Sequence, residues 1–187
     1  MPTNNAAVEC PSQLEGWIMT ASGIRFWPLA PRVEDVRITD IAHALAHCCR
    51  FQGMCWPFYS VAEHSVRVSD KLAGREALYG LLHDASEAYL GDVPRPLKAQ
   101  PVFAAYRDAE RTLQAVIYRA FGLRLEHEPA SVKLVDRRML RTEQRALMPP
   151  AWHGEVREDV EVYPEEEFNW PNDADAVFLQ RFEALTR

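Results

Sequence analysis

The sequence has little of what marks a membrane, secreted or nucleic-acid-binding protein. No run approaches the roughly 20 apolar residues that cross a bilayer. The opening residues, MPTNNAAVEC, carry neither a basic leader nor an apolar stretch, so no secretory signal is expected and the chain reads as cytoplasmic. There is no basic excess: the formal net charge is -6. That argues against a broad nucleic-acid surface, although a metal ion with one or two arginines can build a local positive site on an acidic protein. Cysteine is scarce, with four residues at positions 10, 48, 49 and 55 and no CxxC pair. Adjacent Cys48 and Cys49 do not suit a disulfide framework, and their spacing to Cys55 fits no common zinc pattern, so free thiols are expected. Repeats and low-complexity segments are absent. What is present is 187 residues, 48% apolar and 26% charged, a globular composition long enough for a sizeable core.

Residues 1–15 read as a loose tail. The short β-forming runs 17–20 and 24–27 flank Ala21-Ser22-Gly23 and predict a small hairpin within about 16–28. Pro28 and Pro31 then stop regular structure, and from about residue 38 the pattern is helical. Asp40 is expected to cap a first helix with Ile41, Leu45 and Cys48 on its apolar face, broken by Trp56-Pro57-Phe58-Tyr59. Ser60 and Glu63 form an S-x-x-E capping box opening a second helix that runs to about Leu72. A third covers roughly 75–90, ended by Gly91, Pro94 and Pro96. A fourth begins near Pro101 and closes at Gly122, and a fifth spans about 131–147 before Pro149-Pro150. Residues 150–172, acidic and proline-containing with Trp152 and Trp170, read as a covering loop before a short last helix capped by Asp173. The expectation is an all-α, single-domain helical bundle over 1–187, with its motif-bearing core at about 38–147 and a C-terminal loop and helix over 150–187.

On the third helix, at about 100° per residue, Leu78, Leu81, Leu82, Ala85, Ala88 and Tyr89 make one apolar face. His83, Asp84 and Glu87 fall together on the other side. Gly80 shares that sector, where a missing side chain lets a ligand or another chain approach. Alone, such a sector is more often a solvated face. The fifth helix changes the reading, because Asp136 lies within the stripe Val132, Val135, Met139, Leu140 and Leu147. A buried carboxylate has to be ion-paired, hydrogen-bonded or metal-bound. In a purely structural reading its partner would be Arg50 or Arg111. Glu143 lies in the stripe too, either supporting a ligand or pairing with an arginine. His64 flanks the buried stripe of the second helix. Together His64, His83, Asp84 and Asp136 offer two imidazoles and two carboxylates. That set suits Co, Mn, Zn, Ni or Fe with open positions for water and substrate, and Mg less well.

An isolated histidine, a His-Asp pair about twenty residues on and a distant aspartate resemble the signature of HD-domain metal-dependent phosphohydrolases. Val61-Ala62-Glu63-His64-Ser65, His83-Asp84-Ala85-Ser86-Glu87, Gly91-Asp92-Val93-Pro94-Arg95-Pro96-Leu97-Lys98 and Val132-Lys133-Leu134-Val135-Asp136 are similar to the 5′-deoxynucleotidase branch. So is Cys49-Arg50-Phe51, where that branch has Arg-Trp. The resemblance covers about residues 38–145. The same segments resemble compact phage and bacterial deoxynucleoside triphosphohydrolases, including dATP-specific enzymes.

The resemblance implies an HD-domain bundle with a divalent metal on His64, His83, Asp84 and Asp136. It implies Glu87 as acid/base residue, Asp92 positioning water or substrate, Arg50 holding phosphate and Phe51 packing against sugar or base. Phe51 in place of Trp keeps an aromatic face and loses the indole N–H, which bears on sugar discrimination rather than hydrolysis. Further donors to phosphate would be Arg95, Lys98, Arg137, Arg138 and Arg141, the last three being alternatively a solvated helix face. His43, His47, His127 and His153 are read as non-ligands. The expected reaction is hydrolysis of a deoxynucleoside monophosphate to nucleoside and phosphate. The alternatives are a triphosphohydrolase releasing tripolyphosphate, and a nucleotide sensor without turnover. No nucleic-acid polymer or membrane partner is expected. A homo-oligomer is expected by analogy with helical proteins of this kind.

Overall fold

The computed structural model describes residues 16–149, 161–163, 168 and 173–187. The expected tail at 1–15 and most of the expected covering loop at 150–172, with Trp152, His153 and Trp170, lie outside the described residues. The architecture is mostly α, with one two-stranded antiparallel hairpin at its start. Strands β1 (Ile18–Met19) and β2 (Arg25–Phe26) pair Ile18 with Phe26 and Met19 with Arg25. Gly23, at φ +81, supplies the left-handed residue that the turn needs. Phe26 is fully buried and stacks on Tyr89 with ring centroids 3.9 Å apart.

Helix α1 (Ile38–His47) begins after Arg37, not at Asp40. Asp40 lies in the first turn, and its carboxylate is engaged by the hairpin: Ser22 N–H and Ser22 Oγ each donate to it at 2.7 Å. The negative charge still opposes the helix dipole favourably, but it ties the hairpin down rather than capping the helix. Helix α2 (Val61–Asp70) opens with the expected capping box, reciprocal between Ser60 and Glu63, and ends two residues short of Leu72. Every residue from Val61 to Ser69 is buried, so α2 is the central helix, covered on all sides.

The expected third helix is two elements. Helix α3 (Gly74–Leu82) and helix α4 (Glu87–Leu90) are separated by a tight turn at His83-Asp84-Ala85-Ser86. Helix α5 (Arg95–Lys98) follows, and a 3-10 turn at Pro101–Phe103 leads into helix α6 (Ala104–Ala120). Helix α7 (Ala130–Leu147) buries Val132, Val135, Met139 and Leu147 as the stripe predicts, and leaves Leu140 half-buried. Helix α8 (Ala174–Thr186) packs on α1, α2 and α3. Asp173 stands at its N-cap position, but its side chain makes no capping bond. Arg181 fixes α8 instead, donating to Ser69 Oγ and Ser69 O at 3.0 Å each. No helix among the described residues is long and apolar enough to cross a membrane.

One main core joins Leu45, Leu81, Leu82, Leu113, Ile117 and Phe178. Two smaller clusters tie α7 to its neighbours: Cys55–Tyr59–Leu147 at one end, and Val68–Val135–Met139 in the middle. Gly80 does allow a close approach, and the approaching element is α2. A Cβ at Gly80 would sit 2.6 Å from Leu72 Cδ1 and 3.3 Å from Ser69 Cα. Gly80→Ala would gain about 1 kcal/mol of helix propensity, against an overpacking cost of about 1–3 kcal/mol. The expected net result is a lower Tm in thermal denaturation followed by circular dichroism; an unchanged or higher Tm would contradict the close α2–α3 contact.

Candidate metal centre

Three separate elements bring the predicted ligands to one place. His64 comes from the second turn of α2, His83 and Asp84 from the turn between α3 and α4, and Asp136 from α7. His64 Nε2 lies 3.3 Å from His83 Nε2, 3.3 Å from Asp136 Oδ1 and 3.7 Å from Asp84 Oδ2. His83 Nε2 lies 3.2 Å from Asp84 Oδ2 and 3.9 Å from Asp136 Oδ1. A cation bound at roughly 2.0–2.2 Å by nitrogen and oxygen needs ligand atoms roughly 3–3.5 Å apart. Three of these five distances have that spacing, His64–Asp84 and His83–Asp136 are wider at 3.7 and 3.9 Å, and the His64–His83–Asp84 group could hold a metal ion. Asp136 is 21% exposed, at the edge of the α7 stripe rather than within it.

The outer nitrogens of both imidazoles are fixed. His83 Nδ1 donates to Gly80 O at 2.8 Å, and His64 Nδ1 donates to Glu143 Oε1 at 2.5 Å. Neither acceptor can donate, so both Nδ1 atoms carry protons and both Nε2 atoms face inward. Glu143 has no exposed surface. Burial opposes its ionisation, yet Arg50 and then His64 hold its carboxyl down at about 2. Tyr59 Oη donates to Glu143 Oε1 at 2.9 Å, and Arg50 Nη2 to Oε2 at 2.9 Å.

The turn that carries His83 and Asp84 is held from α6. Gln114 Oε1 accepts the Ser86 N–H at 3.0 Å, and Gln114 Nε2 donates to Leu82 O at 2.7 Å. Neither Gln114 nor Tyr59 is singled out by the sequence reading. The available signal for Gln114 was an uncharged amide beside the buried Leu113, Val116 and Ile117 of α6.

Arg50 is 9% exposed; its Nη1 is 3.8 Å from Asp84 Oδ2, and its Nε has no hydrogen-bond partner among the described residues. Its loop is unusual: Phe51 and Gln52 both adopt left-handed backbone, at φ +54 and +55. Two such non-glycine residues cost about 1–3 kcal/mol each. The loop is held by Arg50 N–H donating to Tyr59 O at 2.9 Å and by Gln52 Nε2 donating to Asp92 O at 2.6 Å. Phe51 packs against Cys55, Tyr59 and Leu147, with its ring 5.4 Å from the Arg50 guanidinium. Asp92 is half-buried, and burial raises its carboxyl above the usual range.

Glu87 is 6% exposed, and its Oε2 has no hydrogen-bond partner among the described residues. Burial, then Asp84 and Asp92, push its carboxyl up to about 9. Lys98 approaches Glu87 at 3.6 Å but bonds Glu110 at 2.8 Å. Asp136 pairs with neither Arg50 nor Arg111; Arg111 binds Asp108 on the surface. The arginine near Asp136 is Arg95, 71% exposed, at 3.9 Å. From His83 and Asp136 a cleft of about 590 Å³ opens, lined also by Arg95, Lys133, Arg137 and Glu128. His43 and His47 meet each other on α1, with ring centroids 4.3 Å apart and the rings tilted by 37°.

A mostly helical protein with two inward imidazoles and two carboxylates converging on one point is thus the class defined by fold and site. No family model matches the sequence. The chain is 40% identical over 131 residues to the uncharacterized protein YfdR of Escherichia coli K12, covering 70% of this chain and 72% of YfdR. It is 39% identical over 116 residues to an uncharacterized protein of Rhodobacter capsulatus, covering 57% of this chain and 59% of that protein. The chain belongs to the family of YfdR.

Without metal, Glu87 keeps its proton in the folded chain over a range in which the unfolded chain has lost it. Folding then takes up a proton, and stability falls as pH rises from about 4.5 toward about 9. Glu87→Gln removes that loss. With a chelator present, its Tm advantage over the unmodified chain is expected to be larger at pH 8 than at pH 6. An equal difference at the two pH values would contradict the placement of Glu87.

Proposed function

We propose that the protein is a metal-dependent phosphohydrolase of the HD-domain kind, acting on nucleotide phosphate esters and foremost on deoxynucleoside monophosphates. The observation that carries this reading is a pair of buried, unpartnered polar atoms beside the four-ligand cluster: the donor Arg50 Nε and the acceptor Glu87 Oε2. Leaving such groups unpaired costs about 1–3 kcal/mol each. A phosphate ester with its attacking water offers an acceptor to the first and a proton to the second.

His64, His83, Asp84 and Asp136 would hold a divalent cation, with Co, Mn, Zn, Ni or Fe suiting the mixed donors better than Mg. Such a cation, when bound, supplies positive charge to a phosphate oxygen and lowers the pKa of water. Arg50 binds a phosphate oxygen through Nε, the donor left over once Nη2 is taken by Glu143. Glu87, whose carboxyl is pushed up by burial, gives its proton to the departing 5′ oxygen as the P–O bond breaks. The water adds to phosphorus and the proton it loses restores that of Glu87, so the products are nucleoside and inorganic phosphate. By the resemblance, Asp92 would position water or substrate and Phe51 would pack against sugar or base.

A second reading has its own observation. The cleft beyond Asp136 carries three cations, Arg95, Lys133 and Arg137, with room for further phosphates. With a triphosphate, water would attack the α-phosphorus and tripolyphosphate would leave. The test is incubation of the protein plus Co²⁺, Mn²⁺ or Mg²⁺ with each dNMP and dNTP, and anion-exchange separation of products. Phosphate from dNMPs is the expected result, and tripolyphosphate from dNTPs would replace it with the second reading. No turnover with any metal, despite nucleotide binding, would overturn the enzyme reading in favour of a sensor. His83→Ala and Asp136→Ala are each expected to lose metal and hydrolysis together; full activity with an empty site in either would overturn the mechanism.

A further inference from the structure

Resting on that reading, we infer that Glu143 is the positioning residue that joins the two halves of the site, setting the metal ligand His64 with one carboxylate oxygen and the phosphate-binding Arg50 with the other. Glu143 would touch neither metal nor substrate. Its Oε1 accepts from His64 Nδ1 at 2.5 Å and from Tyr59 Oη at 2.9 Å, and its Oε2 accepts from Arg50 Nη2 at 2.9 Å. The three donors come from α2, the segment before it and the strained loop, and Glu143 from α7. Among the described residues, Glu143 is the group that accepts from all three, and it is fully buried.

The consequence for His64 is its tautomer. With a proton on Nδ1, its Nε2 lone pair faces His83 Nε2 and Asp136 Oδ1 at 3.3 Å each, the position a cation requires. The consequence for Arg50 is its orientation. Anchored through Nη2, the guanidinium directs its remaining edge toward Asp84, with Nε unpartnered. That anchor also holds the loop whose Phe51 and Gln52 are left-handed. An amide in place of the carboxylate has one acceptor oxygen for three donors, and its NH₂ must face His64 or Arg50. Facing His64, it demands an unprotonated Nδ1 and moves the proton to Nε2, against the metal. Facing Arg50, it meets another donor. Either way one half of the site is lost.

The test compares the unmodified chain with Glu143→Gln and Glu143→Asp, each checked for folding by circular dichroism. Mn²⁺ affinity is measured by calorimetry, and inorganic phosphate affinity is measured on the Mn²⁺-loaded proteins. Glu143→Gln is expected to bind Mn²⁺ roughly 10- to 100-fold more weakly and to lose phosphate affinity as well. Glu143→Asp, which keeps the charge but not the reach, is expected to fall between. Folded Glu143→Gln with unchanged Mn²⁺ and phosphate affinity would reduce Glu143 to a structural role and overturn the inference. Should the variants not fold, nitrogen-15 NMR of the unmodified Zn²⁺-loaded chain decides. A proton on His64 Nδ1 is expected, and one on Nε2 overturns the inference. An unmodified chain that binds no divalent ion overturns the phosphohydrolase reading itself, a result distinct from failure of the Glu143 comparison.

Discussion

A fully buried carboxylate can persist only if the protein itself compensates it, and most of the candidate site is arranged around the compensation of Glu143. The charge is matched by Arg50 and supported by hydrogen bonds from His64 and Tyr59. Removing one partner of such a pair typically costs about 3–5 kcal/mol, because the other charge is left buried alone. Each partner therefore constrains the backbone that carries it. Arg50 keeps its loop in a conformation that two non-glycine residues would otherwise avoid. His64 is held in one tautomer on a helix with no exposed face. The satellite clusters around Tyr59 and Met139 pack α7 so that Glu143 and Asp136, seven residues apart, face the same centre.

The second constraint is the interruption between α3 and α4. A continuous helix would satisfy its own backbone; the turn at His83-Asp84-Ala85-Ser86 runs on tighter bonds, such as Ala85 N–H to Leu82 O at 3.1 Å and Glu87 N–H to Asp84 O at 2.9 Å. Gln114 supplies from α6 what the break leaves over. The result places His83 and Asp84 at the inner end of one helix and Glu87 at the start of the next. Glu87 is thereby close enough to feel the charge of Asp84 without joining the metal-ligand group.

Local chemistry was legible and non-local competition was not. The Ser60–Glu63 capping box, the hairpin and the α7 stripe depend on neighbours within a few residues, and each stands where the sequence puts it. That His64, His83, Asp84 and Asp136 come near one another was legible from the pattern of an isolated histidine, a His-Asp pair and a distant aspartate. The α3–α4 break was not, since the apolar period from Leu78 to Ala88 continues through the turn and its cause, Gln114, is some thirty residues away. Asp40 has the chemistry of a cap, but Ser22 of the hairpin claims its carboxylate. The left-handed Phe51 and Gln52 carry no local signal, because the conformation is imposed by what Arg50 binds. For Glu143 the sequence left open a ligand's support or an arginine's partner; in the structure it accepts from both His64 and Arg50.

The central claim is that α2, the α3–α4 turn and α7 together form one divalent-cation site with two imidazole ligands. The most direct measurement is Co²⁺ titration of the metal-free protein, with X-ray absorption at the cobalt edge of the saturated sample. One ion per chain, with two imidazoles in its coordination sphere, is the result this account predicts. No saturable binding, or a bound cobalt without imidazole scattering, would contradict it.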